Sequence, residues 1–404
     1  MNQKILDFKH RRVICLIATL IICVCVGFVY AWSVLQNPII QTYGWANSKV
    51  ALGYTVMIIC SNVIALVLGS WIKKVSIRTC ILVGAVLFGG GLIASGFMGQ
   101  LWQLYIFYGV LTGFGNGLIY PQMMSYVVKL FPERAGVASG LGTASYGSGA
   151  VIWAPTATAF IGSIGVSNTF KVLGLAFLIV CVAFALLLKD PPEGFREALV
   201  VDIPKAKSSS DCEMTRGQML KTGKFYMIVA TFSCGLVAGV IIISNASPIL
   251  QSALAYTPAR AALFVSVFSL CNMGGRFLWG SLSDKIGLYN AITGVFIVCV
   301  IATALLAFVG VEVIMIIAMG LAASCYGGLA SMLTPLTGKT FGHKNLTSNF
   351  GCMYIVYGVA SLIGPVLATT FKTPDGGYTI TFLISCILAI IGLVIIQFIR
   401  KKKA

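Results

Sequence analysis

Residues 273–287 read MGGRFLWGSLSDKIG and place one arginine inside an otherwise uncharged stretch of the chain. Arg276 is the only charged residue from position 261 to position 283, and Asp284 and Lys285 follow directly after that stretch. An arginine within the hydrocarbon core of a bilayer costs roughly 2.5–3.5 kcal/mol on insertion scales. Its presence here therefore calls for either a route to the membrane surface or a functional partner.

The composition of the whole chain predicts a membrane protein. Hydrophobic residues make up 58% of the sequence and charged residues only 10%, whereas soluble domains are about 25% charged. A helix needs about 20 apolar residues to cross the hydrocarbon core. The sequence contains twelve such stretches, at residues 13–35, 48–71, 79–98, 101–128, 136–160, 169–189, 222–246, 259–282, 288–309, 312–338, 347–371 and 378–399. We predict an all-α membrane protein with twelve transmembrane helices.

The positive charge is unevenly divided between the two sides of these predicted helices. With the amino terminus in the cytoplasm, 23 of the 28 lysines and arginines fall in loops on that side and 4 on the other, with Arg276 left over. Loops rich in lysine and arginine remain cytoplasmic. We therefore predict a multi-pass protein of the cell (inner) membrane with both termini cytoplasmic. The net charge of +17 then reflects topology, and we expect no nucleic-acid binding.

The distribution of titratable residues argues against an enzyme. All 11 acidic residues fall in loops or at the ends of predicted helices, as do both histidines. Twelve of the 13 cysteines lie in apolar stretches, and there is no C-x-x-C pair, which favours buried thiols over metal or disulfide chemistry. We expect no catalytic residue, no cofactor and no metal. The first apolar run is longer than that of a secretory signal, so we expect helix 1 to be retained.

The chain contains an internal repeat of about half its length. Residues 37–41 (NPIIQ) match residues 247–251 (SPILQ) at an offset of 210. Six helices in each half, in the same order, indicate a parallel repeat about an axis along the membrane normal. We predict an N-terminal six-helix bundle at 1–189, a polar cytoplasmic linker at 190–221 and a C-terminal six-helix bundle at 222–404.

A short loop motif connects this repeat to a known family. Residues 280–287 (GSLSDKIG) resemble the loop signature of the major facilitator superfamily, G-x-L-(A/S)-D-(R/K)-x-G. The repeat mate at 69–76 (GSWIKKVS) has lysine where the signature has aspartate. The resemblance implies a conformational gate formed by Gly280, Asp284 and Lys285, in which the carboxylate pairs with basic groups or caps a helix.

Within that superfamily the chain most resembles the oxalate:formate antiporter group, which is related to monocarboxylate transporters. The matching segments are GFVYAWSVLQNPII (27–40), YGVLTGFGNGLIYPQ (108–122), NMGGRFLWG (272–280) and NFGCMYIVYGVASLIGP (349–365). They extend over nearly the whole chain. The resemblance implies a transporter that carries a small organic anion by alternating access.

The resemblance implies that Arg276 binds the substrate, because in the resembled group this position faces the central cavity and binds a substrate carboxylate. A guanidinium matches a carboxylate through two parallel hydrogen bonds. Asn272, one helical turn earlier, lies on the same face and is a second candidate. The alternative is that Arg276 extends to the inner interface while its stem stays in the apolar region.

Tyr357 marks a departure from the group. The oxalate exchangers carry a lysine immediately before the glycine that corresponds to Gly358, and here that residue is Tyr357. A second carboxylate without a cationic partner would cost several kcal/mol in a medium of low dielectric. This difference favours a monocarboxylate such as lactate, pyruvate or formate over oxalate.

Four further tyrosines match cavity positions of the group, and their rings and hydroxyls would enclose and orient a small anion. They are Tyr30, Tyr120, Tyr146 and Tyr326. The alternative for each is packing or a place in the aromatic belt at the membrane surface. Tyr357 completes the predicted substrate site.

Three functions therefore remain to be compared. The favoured one is a monomeric secondary active transporter of a monocarboxylate, whose partners are the organic anion and the lipid bilayer. The second is an oxalate:formate-type antiporter. The third is a membrane sensor that does not transport, which would usually carry an added soluble domain. Antiport, proton symport and uniport are all left open by the sequence.

Overall fold

The computed structural model describes residues 3–68, 75–200, 213–371, 373 and 377–401. Within these residues the chain is helical and has no strand. In this described part of the chain twelve long helices follow one another: α1 (Gln3–Val26, a 3₁₀ segment Gly27–Ala31, and Trp32–Tyr43), α2 (Asn47–Leu68), α3 (Ile77–Ser95), α4 (Leu101–Leu104, a π-helical segment Tyr105–Thr112, and Gly113–Leu130), α5 and α6 (Ala135–Ala185, divided at Gly165), α7 (Gly223–Ala253), α8 (Pro258–Ile286), α9 (Leu288–Phe308), α10 (Glu312–Phe341), α11 (Leu346–Met353 and Ile355–Thr370) and α12 (Thr379–Lys401).

These helices correspond one for one to the twelve predicted apolar stretches. Eight helical stretches of the described chain are long and apolar enough to cross a membrane, and one of them, Pro132–Ala185, contains both α5 and α6. The edges differ most at α1, which begins at Gln3 and ends at Tyr43. The sequence prediction followed hydropathy, and the helix continues beyond the apolar run at both ends.

Local sequence explains where several helices begin and end. The side chain of Ser76 accepts a hydrogen bond from the Thr79 amide at the start of α3, and Thr257 caps α8 in the same way, with Pro258 in its first turn. Ser and Thr at this position satisfy amides that have no partner inside the helix. Gly44, with a φ of 68°, closes α1.

The chain divides into two compact units that interleave the sequence halves. Unit 1 comprises residues 1–138, 145–216 and 337–354, and unit 2 comprises residues 139–144, 217–336 and 355–404. Residues 139–144 of the first predicted half thus belong to unit 2, and residues 337–354 of the second half belong to unit 1. The predicted division at 1–189, 190–221 and 222–404 stays a prediction, and linker residues 201–212 lie outside the described residues.

Each unit has an aromatic core of its own. In unit 1 the ring of Phe177 lies 5.3 Å from that of Phe28 and 4.7 Å from that of Trp153. In unit 2 Phe296 is fully buried between α7 and α12, where a Cβ on Gly235 or Gly392 would meet its ring. Large apolar side chains such as Leu278 and Phe308 are exposed instead, as expected for faces that contact lipid.

Irregular segments interrupt the helices that carry the predicted site. Tyr30 lies in the 3₁₀ segment of α1, and Tyr354 occupies a turn between the two parts of α11. Such interruptions of regular helix often occur at functional positions. A Cβ on Gly27 would meet the backbone carbonyl of Tyr146, so α1 and α5 touch backbone to backbone at the 3₁₀ segment.

Candidate functional site

Arg276 is fully buried in unit 2, and two neutral oxygens accept its hydrogen bonds. Its Nη1 donates to the backbone carbonyl of Thr143 on α5 at 2.7 Å, and its Nε donates to Oδ1 of Asn272 at 3.0 Å. Asn272 lies one turn earlier on α8 and is 4% exposed. The side chain therefore stays inside the protein and does not extend to an exposed end of the helix.

Tyr326 contacts this arginine, and Tyr357 lies next to Tyr326 in the same unit. The guanidinium carbon lies 5.9 Å from the ring centroid of Tyr326, close enough for a cation–π contact. The rings of Tyr326 and Tyr357 are 6.4 Å apart, and the Tyr357 hydroxyl donates to the carbonyl of Ala330 at 3.4 Å. We call the set Asn272, Arg276, Tyr326, Tyr357 and the carbonyl of Thr143 the arginine cluster.

Glycines allow the backbones around Arg276 to approach each other. A Cβ on Gly327 of α10 would lie 2.9 Å from Oδ1 of Asn272 and 3.0 Å from Cγ of Arg276. A Cβ on Gly140 of α5 would lie 2.9 Å from the backbone oxygen of Arg276. Both contacts are tighter than van der Waals distance, so the two positions require glycine for the arginine to sit as it does.

The other predicted tyrosines come together in unit 1. Tyr146 is the centre: its ring centroid lies 5.2 Å from that of Tyr30 and 4.2 Å from that of Tyr120. Tyr120 also contacts Tyr354, at 5.4 Å. The rings of Tyr120, Tyr146 and Tyr354 are buried, and Tyr30 is half-buried.

Neutral polar groups connect the hydroxyls of these tyrosines. The Tyr146 hydroxyl donates to Oδ1 of Asn116 at 2.9 Å, and Nδ2 of Asn116 donates to Oγ of Ser61 at 2.8 Å. All the donors and acceptors are uncharged. We call Tyr30, Tyr120, Tyr146, Tyr354, Asn116 and Ser61 the tyrosine cluster.

The gate residues lie at the end of α8. Gly280 is buried, and its carbonyl accepts a hydrogen bond from Ser283 Oγ at 2.7 Å. Asp284 and Lys285 are exposed in the last turn, and Gly287 follows with a φ of 88°. The repeat mate of this loop falls mostly at 69–74, which lies outside the described residues. The gating role of Asp284 and Lys285 stays a prediction.

Four members of the two clusters were not predicted from the sequence: Thr143, Tyr354, Asn116 and Ser61. Thr143 contributes a backbone carbonyl, which no side-chain pattern reveals. Tyr354 and Asn116 lie inside the segments that matched the antiporter group, at 349–365 and 108–122. Each lies about one helical turn before a predicted tyrosine, Tyr354 before Tyr357 and Asn116 before Tyr120. This spacing was the signal that could have found them. In the described residues no group of three or more His, Cys, Asp or Glu side chains could hold a metal ion.

Comparison with protein families identifies the fold. The Major Facilitator Superfamily matches residues 17–311 and 227–404 of this chain. The chain belongs to the major facilitator superfamily. Its members are membrane transporters with twelve transmembrane helices in two six-helix bundles, so the predicted fold class is confirmed, as is the predicted resemblance.

Curated superfamily members resemble the chain along most of its length. It is 26% identical to the oxalate:formate antiporter of Oxalobacter formigenes over 393 residues, which cover 96% of this chain and 90% of that protein. It is 26% identical to the MFS-type transporter YhjX of Escherichia coli, with 88% and 87% covered. Monocarboxylate transporter 12 of Rattus norvegicus is 25% identical, with 94% and 82% covered.

Solved structures of transporters share the fold at low identity. FucP in the outward conformation matches with a TM-score of 0.69 and 17% identity, over 95% of this chain and 98% of FucP. The proton:xylose symporter XylE matches with a TM-score of 0.72 and 12% identity, over 95% of each chain. At these identities the likeness concerns the fold alone.

Proposed function

We propose that this transporter carries small monocarboxylates of the lactate, pyruvate or formate class, with Arg276 as the residue that binds the carboxylate. The observation that carries the proposal is the burial of Arg276 among neutral oxygen acceptors and beside the ring of Tyr326. A buried cation is expensive in a membrane and marks a substrate pathway. Carboxylates are the anions that match a guanidinium fork.

The other residues of the arginine cluster support a substrate with a single carboxylate. Tyr357 occupies the position at which the resembled oxalate exchangers have a lysine, and its side chain is neutral. Asn272 and Tyr326 are neutral as well. A substrate with one carboxylate is neutralised by Arg276, whereas a dianion would carry its second charge among uncharged groups.

The transport cycle proposed here is alternating access between bundles 1–189 and 222–404, with both termini and the 190–221 linker in the cytoplasm. The charge asymmetry of the loops supports this orientation, and we place the protein in the cell (inner or plasma) membrane. Asp284, exposed in the last turn of α8, acts as the gate together with Lys285 and Gly280. We propose a monomer, because each chain carries a complete pair of repeats.

An oxalate:formate-type antiporter is the second candidate. The similarity over 96% of the chain to a protein of that name favours it. Exchange of anions also requires no acidic residue inside the membrane, and every acid of this chain falls in a loop or at a helix end. The two candidates differ in whether a dicarboxylate is a good substrate.

Uptake into proteoliposomes tests these functions. The purified protein is reconstituted, and uptake of labelled lactate, pyruvate, formate and oxalate is compared with that of empty vesicles, with and without internal unlabelled anion. We expect uptake of at least one of the three monocarboxylates and little of oxalate. Oxalate uptake driven by internal formate would favour the antiporter, and no uptake of any anion under either condition would contradict carboxylate transport.

A further inference from the structure

Two residues in the second half of the predicted linker, Glu213 and Met214, bind the loop between α10 and α11. The carboxylate of Glu213 accepts the backbone N–H of Lys344 at 2.8 Å and that of His343 at 3.3 Å. The amide of Met214 donates to the carbonyl of Phe341 at 3.0 Å. All these residues belong to unit 1, so this part of the predicted linker is fixed to the loop.

The loop is shaped to receive a carboxylate. Gly342 has a φ of 92°, a conformation that favours glycine, and a Cβ there would also meet Oε2 of Glu213. Consecutive amides that turn towards one point form an anion-binding concavity. Hydrogen bonds to an ionised acceptor are stronger than neutral ones. Gly342 is therefore required both for the turn and for the approach of Glu213.

The contacts continue into α11 and reach α2. The side-chain amides of Asn345 and Asn349 donate to the carbonyl of Met214, at 2.9 and 3.1 Å. On the other side, Nη1 of Arg216 donates to the carbonyl of Val67, near the end of α2, at 3.4 Å. The short segment 213–216 thus joins the first sequence half to the start of α11.

The same part of α11 packs against helices of the first half. Leu346 forms an apolar cluster with Val127 and Val128 of α4. Lys129 Nζ donates to Thr347 Oγ1 at 2.8 Å. In a transporter that works by alternating access, the two sequence halves separate first at one end and then at the other. Such contacts between the halves must break when this end opens.

We propose that Glu213 is a positioning residue that holds the α10–α11 loop and raises the population of the conformation closed at this end. Its consequence for transport rests on the alternating-access function proposed above, but its effect on the conformational population is independent of the substrate. Loss of the two carboxylate contacts destabilises the conformation closed at this end and does not affect the open one. The equilibrium therefore shifts towards the conformation open at this end.

Labelling of two native cysteines measures this shift. Cys352 is buried in the first part of α11, and Cys299 is buried in α9. The full chain in detergent is treated with a maleimide, and each cysteine is followed by peptide mass spectrometry. We expect Glu213→Gln to raise the labelling rate of Cys352 by about threefold and to leave Cys299 unchanged, because the carboxamide binds the amides less strongly.

Four further variants complete the experiment. Gly342→Ala should act like Glu213→Gln, and the two effects should not multiply in the double variant, because both substitutions act on the same contact. Glu213→Asp keeps the carboxylate, so its Cys352 labelling rate should lie between that of the wild type and that of Glu213→Gln. Glu193→Gln, at another exposed acid near the start of the predicted linker, is the matched control and should label as wild type does.

Wild-type labelling of Cys352 in Glu213→Gln would overturn the proposal, as would an equal rise at Cys299, which would indicate general loosening. If Gly342→Ala does not fold, the two substitutions of Glu213 carry the test. A shift at Cys352 without transport of any carboxylate would overturn the proposed substrate and leave the role of Glu213 intact.

Discussion

The arginine cluster of unit 2 and the tyrosine cluster of unit 1 are built from similar side chains and differ in one charge. Both contain buried tyrosines and an asparagine that accepts a hydrogen bond, from Arg276 in one case and from Tyr146 in the other. In the arginine cluster the acceptors orient a permanent cation. In the tyrosine cluster every hydrogen bond described is between neutral groups.

Because of this difference, we expect the arginine cluster to attract the anion and the tyrosine cluster to contribute shape and weaker hydrogen bonds. A buried guanidinium strongly favours an anion, because in a low-dielectric setting its attraction to a carboxylate is much larger than in water. Neutral hydroxyls contribute shape and smaller hydrogen-bond energies, about 1 kcal/mol each. Substitutions in the arginine cluster should therefore abolish or redirect function, and substitutions in the tyrosine cluster should have graded effects.

The largest effect is expected at Arg276. Removal of a charged hydrogen-bonding partner costs about 2–5 kcal/mol, so Arg276→Gln should lower affinity more than tenfold and abolish measurable uptake. Arg276→Lys should rescue poorly, because an ammonium cannot reproduce the fork. Uptake is measured in proteoliposomes, with folding checked by thermal unfolding. Arg260→Gln, at an exposed arginine paired with Glu312, is the control. Normal uptake by Arg276→Gln would refute a role in binding.

A change of preference is expected at Tyr357. Tyr357→Lys would add a second cation to the arginine cluster and should shift selectivity from monocarboxylates towards dicarboxylates. Tyr357→Phe removes the hydroxyl that donates a long hydrogen bond to the carbonyl of Ala330, adds no charge and should leave selectivity as it is. Competition of mono- and dicarboxylates against a labelled monocarboxylate measures both variants. Unchanged selectivity in a folded Tyr357→Lys protein would count against a common site with Arg276.

A smaller and mainly structural effect is expected at Tyr146. Tyr146→Phe removes the donor to Asn116 inside a buried network and should lower stability by about 1–3 kcal/mol. Thermal unfolding in detergent measures the loss. Tyr105→Phe removes an exposed hydrogen bond to the carbonyl of Lys49 and should have little effect. A complete loss of uptake by a stable Tyr146→Phe protein would show that the tyrosine cluster has a more direct role.

The smallest effect on affinity is expected at Asp284, which is exposed at the end of α8. Asp284→Asn should slow turnover and change substrate affinity less than about tenfold, because it biases conformations without touching the ligand. Initial uptake rates at several substrate concentrations separate the two quantities. Lost binding in a folded variant would mean that the gate interpretation is wrong.

The sequence predicted the features that depend on composition and on side-chain chemistry. The twelve helices followed from apolar length, and Arg276 stood out as a lone charge in an apolar run. Tyr30, Tyr120 and Tyr146 were selected from a resemblance, and all three lie in one cluster. Tyr326 and Tyr357 likewise lie beside Arg276 or each other.

Features that depend on the backbone could not be predicted in this way. The partner of Arg276 on α5 is the carbonyl of Thr143, and a carbonyl is present at every position of a chain. Tyr354 joins the tyrosine cluster where α11 is interrupted, and hydropathy does not reveal such an interruption. The binding of Glu213 by the α10–α11 loop required the positive φ of Gly342, which a glycine in the sequence permits but does not specify.

The most direct test of a single buried cation is the selectivity of the wild-type protein between acids of matched size. In proteoliposomes, uptake of a labelled monocarboxylate is inhibited by pairs with equal numbers of carbon atoms, such as acetate and oxalate or propionate and malonate. With one cation in the arginine cluster, the monocarboxylate of each pair should inhibit at a concentration at least about tenfold lower, since an uncompensated second charge costs more than about 1.4 kcal/mol. Equal or stronger inhibition by the dicarboxylates would contradict the assignment of one carboxylate to Arg276.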